Sequence, residues 1–178
     1  MSAAGGFLVR RATLDDADLI ARHRAAMFTD MHLLAADRAA DLREKTSRYL
    51  REVMPRGEYV GWLASPADAP GSIIAGAGAQ LRNTLPHPRE PADAPHGRQA
   101  IVLNVYTEPA WRGRGVAELL MQAVIQWAGD TGLHALVLHA SDAGRPLYEK
   151  LGFKATNEMR YTGRLGALPG TVSTKEQT

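Results

Sequence analysis

The stretch Leu103-Asn104-Val105-Tyr106-Thr107-Glu108-Pro109-Ala110-Trp111-Arg112-Gly113-Arg114-Gly115-Val116-Ala117-Glu118-Leu119-Leu120 decides how the rest of the chain is read. It reads as strand, anion-binding loop and helix. Ala100 to Tyr106 is apolar and rich in β-branched types except at Asn104, the pattern of a central strand covered on both faces. Pro109, which has no amide hydrogen, closes it. Beyond the loop, Val116, Leu119, Leu120, Ala123, Val124 and Trp127 fall at offsets 0, 3, 4, 7, 8 and 11, one stripe of a helix predicted to begin at or near Gly115.

The first turn of a helix holds backbone N–H groups without intrahelical acceptors, and its dipole favours an anion there. Glycines at 113 and 115 let the backbone curl around phosphate oxygens, and Arg112 and Arg114 add positive charge. Alone, this is a weak signal that a solvated glycine-rich connection would also give. A dinucleotide fingerprint is excluded, because Glu118 stands where the third glycine belongs and no βαβ unit precedes the loop. A second block, Ser141-Asp142-Ala143-Gly144-Arg145-Pro146-Leu147-Tyr148-Glu149-Lys150-Leu151-Gly152-Phe153, reads as a short helix with Pro146 in its first turn and Gly152 just past its end.

In this order the two blocks resemble the GNAT N-acetyltransferase superfamily. Its signature Arg/Gln-x-x-Gly-x-Gly/Ala is met by Arg112, Gly115 and Ala117. Its closing motif Asn-x-x-Ala-x-x-x-Tyr-x-x-x-Gly-Phe is met by Tyr148, Gly152 and Phe153, with Ser141 in place of Asn and Gly144 in place of Ala. The resemblance implies an α/β (α+β) fold with a mixed, mostly antiparallel sheet of six or seven strands and helices on both faces. The strands carrying Tyr106 and His139 would run parallel and then splay around the pantetheine arm. It also implies acetyl-CoA as co-substrate, no metal, and transfer to a primary amine of a small molecule or peptide through a tetrahedral intermediate.

The residues the resemblance places at the cofactor are Val105, Tyr106, Thr107, Arg112, Gly113, Arg114, Gly115, Val116, Ala117, Ser141 and Tyr148. Tyr148 becomes the general acid for the departing thiolate, a role a phenol can fill for a thiol of comparable basicity. A bulge around Val105 to Thr107 would aim one backbone N–H at the thioester carbonyl. For the general base, Glu108, His139, Asp142 or a base acting through water all stay open, with Glu108 carried forward as the catalytic candidate beside Tyr148. Ser141 can cap the helix or donate to the pantetheine. Lys150 and Arg114 are candidates for the CoA phosphates, or exposed bases with no specific role.

Composition sets outer limits. The chain has 178 residues, 45% of them hydrophobic, and a net charge of +2, too mild for nucleic-acid binding. With no cysteine, it has neither disulfides nor a thiol nucleophile. No apolar run approaches the ~20 residues that cross a bilayer, so no membrane partner and a cytoplasmic location are expected. One domain is expected over 1–162, with 163–178 a flexible tail in which only Leu165 to Val172 offers another strand. A homodimer is the family expectation.

Elsewhere the pattern predicts a strand at Phe7 to Arg11, a helix capped by Thr13 that runs towards Met31, and a second helix from Ala36 to Met54 stopped by Pro55 and Gly57. Strands follow at Glu58 to Ala64 and Ser72 to Arg82. Within the latter, Gly76 and Gly78 point to a bulge or close packing. Residues 83–98 are a proline-rich excursion that is either disordered or functional, in the latter case covering the acceptor pocket or packing a dimer. Strands are also expected at Leu133 to Ala140 and Phe153 to Tyr161. The helix acids Asp30, Asp37, Asp41 and Glu44 would suit a cationic acceptor, or simply face solvent. Two other classes remain: a CoA-binding sensor or interaction module without turnover, and a nucleotide-binding protein using the same helix terminus.

Overall fold

Alternation along β3 (Tyr59–Pro66) shows how the sheet is covered. Tyr59 and Leu63 pack with Ile20, Leu50 and Val53, whereas Trp62 and Ala64 pack with Val116, Leu120, Met121 and Val124. Successive strand side chains point to opposite faces, so the two clusters are two layers of core. The computed structural model describes residues 2–4, 6–86, 88 and 97–159. The tail 163–178, the possible strand at Leu165 to Val172 and much of the 83–98 excursion lie outside the described residues.

The remaining strands are β1 (Ser2–Ala4), β2 (Phe7–Arg11), β4 (Ala75–Asn83), β5 (Arg98–Thr107) and β6 (Ala135–Leu138). The helices are α1 (Ala17–Asp30), α2 (Ala39–Val53), α3 (Val116–Asp130) and α4 (Arg145–Lys150). Strands lie in chain order, antiparallel from β1 to β5, and β6 then joins β5 in parallel after the α3 crossover. Six strands form the sheet, the lower of the six or seven expected; five of them are its body and the three-residue β1 adds only a short rung. Helices α1 and α2 cover one face and α3 the other. Among the described residues no helix is long and apolar enough to cross a membrane.

The entry to α1 follows the sequence reading, with an addition. The Asp16 carboxylate accepts the Thr13 N–H at 2.7 Å and both terminal nitrogens of Arg10 at 2.7 Å, tying β2 to the helix start. β6 is shorter than Leu133 to Ala140, because pairing with β5 lasts only from Gln99–Ala135 to Val102–Leu138. The strand expected at Phe153 to Tyr161 does not form over its described part. Phe153 N–H instead turns back to the Tyr148 carbonyl at 2.9 Å, and residues 154–159 are all exposed, so no buried face rewards sheet pairing.

Two features of β5 shape the site. Its pairing with β4 shifts so that Ala77 opposes both Asn104 and Val105, a bulge centred slightly earlier than the expected Val105 to Thr107. Asn104 there takes φ +57°. From Leu103 onward, β5 also runs on without a β6 partner. The parallel strands therefore part just where the bulge lies.

Candidate active site

β5 leads through a short turn, Pro109–Trp111, into the glycine loop and α3. Gly113 and Gly115 have φ +74° and +80°, the left-handed region that costs other residues about 1–2 kcal/mol. A Cβ at either would meet nothing within 4 Å, so the glycines supply conformation and leave the loop face open. Val116 is buried in the core, so only its backbone is available to a ligand, as for Ala117 behind it in the first turn.

The two loop arginines are used differently. Arg112 Nε donates to the Thr107 carbonyl at 3.0 Å, and its terminal nitrogen is bonded to Asp30 at the end of α1. This pairing raises the pKa of Arg112. Its side chain thereby braces the loop against α1. Arg114 lies over the Trp111 ring, 4.9 Å from its centroid. Next to them, Thr107 Oγ1 is buried with no hydrogen-bond partner among the described residues, at the end of the unpaired β5 segment. Lys150, a candidate for the phosphates, is paired instead with Glu118 at 2.7 Å and joins α4 to α3.

The closing block explains its own departures from the motif. Ser141 Oγ accepts the Gly144 N–H at 3.2 Å, and its carbonyl accepts the Arg145 N–H at 2.9 Å, so the serine caps the entry to α4. A Cβ on Gly144 would lie 2.9 Å from Tyr148 Cε2. The tyrosine ring thus occupies the space that the usual alanine would need. Tyr148 is half-buried, meets Phe153 edge-on at 6.0 Å, and is held protonated by burial that raises its pKa.

Of the three candidate bases, His139 is exposed, with Nε2 3.1 Å from Glu158, and Asp142 is exposed on the turn before α4. Glu108 alone sits in a built cluster. Its carboxylate accepts from Arg22 Nη1 at 2.9 Å and lies 3.5 Å from Nε2 of His23. His23 is 1% exposed, and its ring is 5.2 Å from that of Tyr106. Burial and the neighbouring Arg22 charge lower its pKa to about 4. Tyr106 is itself buried, and desolvation and the Glu108 charge raise its pKa.

A cavity of about 220 Å³ lies between α1, α2, β4 and β5, lined among others by Arg24, Tyr59, Leu103 and Asn104. The sequence marked Asn104 only as the one polar residue of an apolar strand; it gave no sign of Arg24, which reads as an ordinary solvated helix arginine. The acids considered for a cationic acceptor do not line this cavity. Asp30 is bonded to Arg112, Asp41 to Lys45 and Glu44 to Arg48, while Asp37 is exposed.

Comparison with known proteins bears on this arrangement. The acetyltransferase (GNAT) family matches residues 25–153. A GCN5-related N-acetyltransferase from Ralstonia eutropha superposes with a TM-score of 0.77 at 31% identity, covering 88% of this chain and 97% of that one. A predicted acetyltransferase from Clostridium acetobutylicum, solved with acetyl-CoA, gives a TM-score of 0.75 at 27% identity over 88% and 96% of the two chains. A curated relative, glucosamine 6-phosphate N-acetyltransferase of Trypanosoma brucei brucei, is 33% identical over 52 residues, which span 29% of this chain and 35% of that protein.

Proposed function

The chain belongs to the GNAT acetyltransferase family, and from that premise we propose that it moves an acetyl group from acetyl-CoA directly to a primary amine. The observation that carries the reading is one of position. The glycine loop at the N-terminus of α3, the unpaired edge of β5 and the β5 bulge follow one another along a single path. Free N–H groups of the loop and first turn suit a pyrophosphate. The edge from Leu103 to Thr107, with the orphan Thr107 hydroxyl, suits the amides of a pantetheine arm.

In this reading the bulge at Asn104–Val105 turns a backbone N–H to the thioester oxygen as negative charge develops there. Glu108, fixed by Arg22, takes the proton from the attacking amine, directly or through a water. As the C–N bond forms and the C–S bond breaks, Tyr148 gives its proton to the departing sulfur. Arg112 keeps the loop in register with α1, and Ser141 orients α4 so that Tyr148 faces the gap.

The test is release of free CoA thiol against amines, amino acids and peptides. Tyr148→Phe should bind CoA as the wild type does while losing about 100-fold in kcat. Glu108→Gln should lose activity most at pH values below the pKa of the acceptor amine, where the amine arrives protonated and a base must take its proton. CoA binding without thiol release for every acceptor would favour the sensor reading instead.

A further inference from the structure

Several arginines on the helical face of the sheet have carboxylate partners, and Arg24 has none among the described residues. Arg22 is paired with Glu108, Arg48 with Glu44, Arg51 with Asp18 and Arg112 with Asp30. Arg24 projects from α1 into the cavity beside the bulge, and its hydrogen-bond acceptor is neutral: Asn104 Oδ1, 2.5 Å from Nη1. Its guanidinium also lies 4.8 Å from the centroid of the Phe28 ring. Among the described residues no carboxylate comes within salt-bridge distance of it. A half-buried guanidinium with several N–H donors and one amide oxygen is electrostatically unbalanced.

The surroundings deepen that imbalance. Asn104 is held at φ +57°, in the left-handed region, and its amide bridges Arg24 to the Tyr59 hydroxyl at 3.2 Å. Lys45 also lines the cavity, but its charge is met by Asp41 at 2.9 Å, which leaves Arg24 as the uncompensated cation. Burial lowers the pKa of Arg24, the mark of a charge deprived of water. At about 220 Å³ the space is smaller than the ~300–1,000 Å³ of drug-sized sites and suits one small molecule.

We infer that the acceptor is a small amine that also carries an oxyanion, a carboxylate or a phosphate monoester, held by Arg24 in this cavity so that its amine reaches the β5 bulge. The inference rests on the acetyltransferase reading and names the substrate class of that site. Arg24 acts as a specificity determinant. It neutralises the acceptor's anion, and because it is bonded to the bulge residue it fixes the distance from that anion to the reacting carbonyl.

The experiment uses the full chain saturated with CoA, so that the phosphate loop is already filled. Thermal stabilisation is then titrated with matched ligands: phosphoethanolamine against ethanolamine, alanine against alaninamide, and glucosamine 6-phosphate against glucosamine. The oxyanionic member of at least one pair should bind at least tenfold more tightly. Which pair responds separates phosphate from carboxylate. Arg24→Gln should abolish that preference and Arg24→Lys should retain part of it. Equal affinities within every pair of the wild-type protein, or a preference that survives Arg24→Gln, would overturn the inference; the wild-type comparison decides even where Arg24→Gln does not fold. Failure of CoA itself to stabilise the chain is a separate outcome that removes the acetyltransferase reading and this inference with it.

Discussion

His23 is a histidine whose place inside the protein has a measurable cost in acid. Its pKa falls from 6.5 to about 4 on folding, because burial and Arg22 outweigh the opposing pull of Glu108. Between those values the unfolded chain binds the extra proton and the folded chain does not, so stability is full above pH 6.5 and declines as pH drops towards 4. At ~1.4 kcal/mol per unit, the loss is about 3 kcal/mol. Denaturant titrations at pH 7.5, 5.5 and 4.5 should show it, and His23→Gln should flatten this window. Asp16 acts lower down: bonding to Arg10 depresses its pKa below 3.8, so its contribution persists until pH falls through that range. At this scale the sequence revealed what local pattern controls. Gly115 stood out at the head of a helical stripe, Tyr148 through the resemblance of its block to the family's closing motif, and Glu108 through its place at the strand end. His23 read only as a core-facing residue of the first helix, because its partner Glu108 is 85 positions on in the chain.

Among the elements, β4 shows how a glycine can be dictated by a neighbouring strand. A Cβ on Gly78 would lie 1.9 Å from the Tyr59 hydroxyl on β3, so the tyrosine can point towards Asn104 only across a strand with no side chain there. Gly78→Ala should cost about 1–3 kcal/mol in chemical denaturation, since the added Cβ forces the Tyr59 ring out of its place. Gly115→Ala is a different kind of lesion. No atom is struck, but φ +80° is disfavoured, so it should lower stability by about 1–2 kcal/mol and weaken CoA binding as the loop distorts. Sequence reading recovered the helices to within a few residues because their stripes and stop signals are local. It missed the coil at residues 154–159, since a strand exists only where a neighbour pairs with it and a core receives its side chains.

Across the whole molecule, one side was far easier to read than the other. β5, the loop, α3, β6 and α4 are contiguous from Arg98 to Lys150, so the side proposed for the cofactor is written in one run of sequence. The side proposed for the acceptor is built by α1 and α2 against β4 and β5, and the Arg24–Asn104 bond spans 80 positions. No local pattern encodes such a pairing. The α3 face of the sheet should also be the more sensitive to truncation. Leu120 is 0% exposed at the centre of the larger cluster, and Leu120→Ala should cost about 2–5 kcal/mol in thermal or denaturant unfolding. A CoA concentration one hundred times Kd should in turn raise the stability of the whole chain by about 2.7 kcal/mol.

The early end of the β5–β6 ladder also predicts which protons the solvent can reach. Amide hydrogens of Gln99 to Val102 are flanked by strands on both sides, whereas those of Leu103 to Thr107 that face away from β4 have no strand to protect them. In deuterated water this short run should exchange ahead of the rest of β5. If a cofactor lies along that edge, its arrival should slow exchange there and at the first turn of α3, while leaving the exchange pattern of β2 and β3 unchanged.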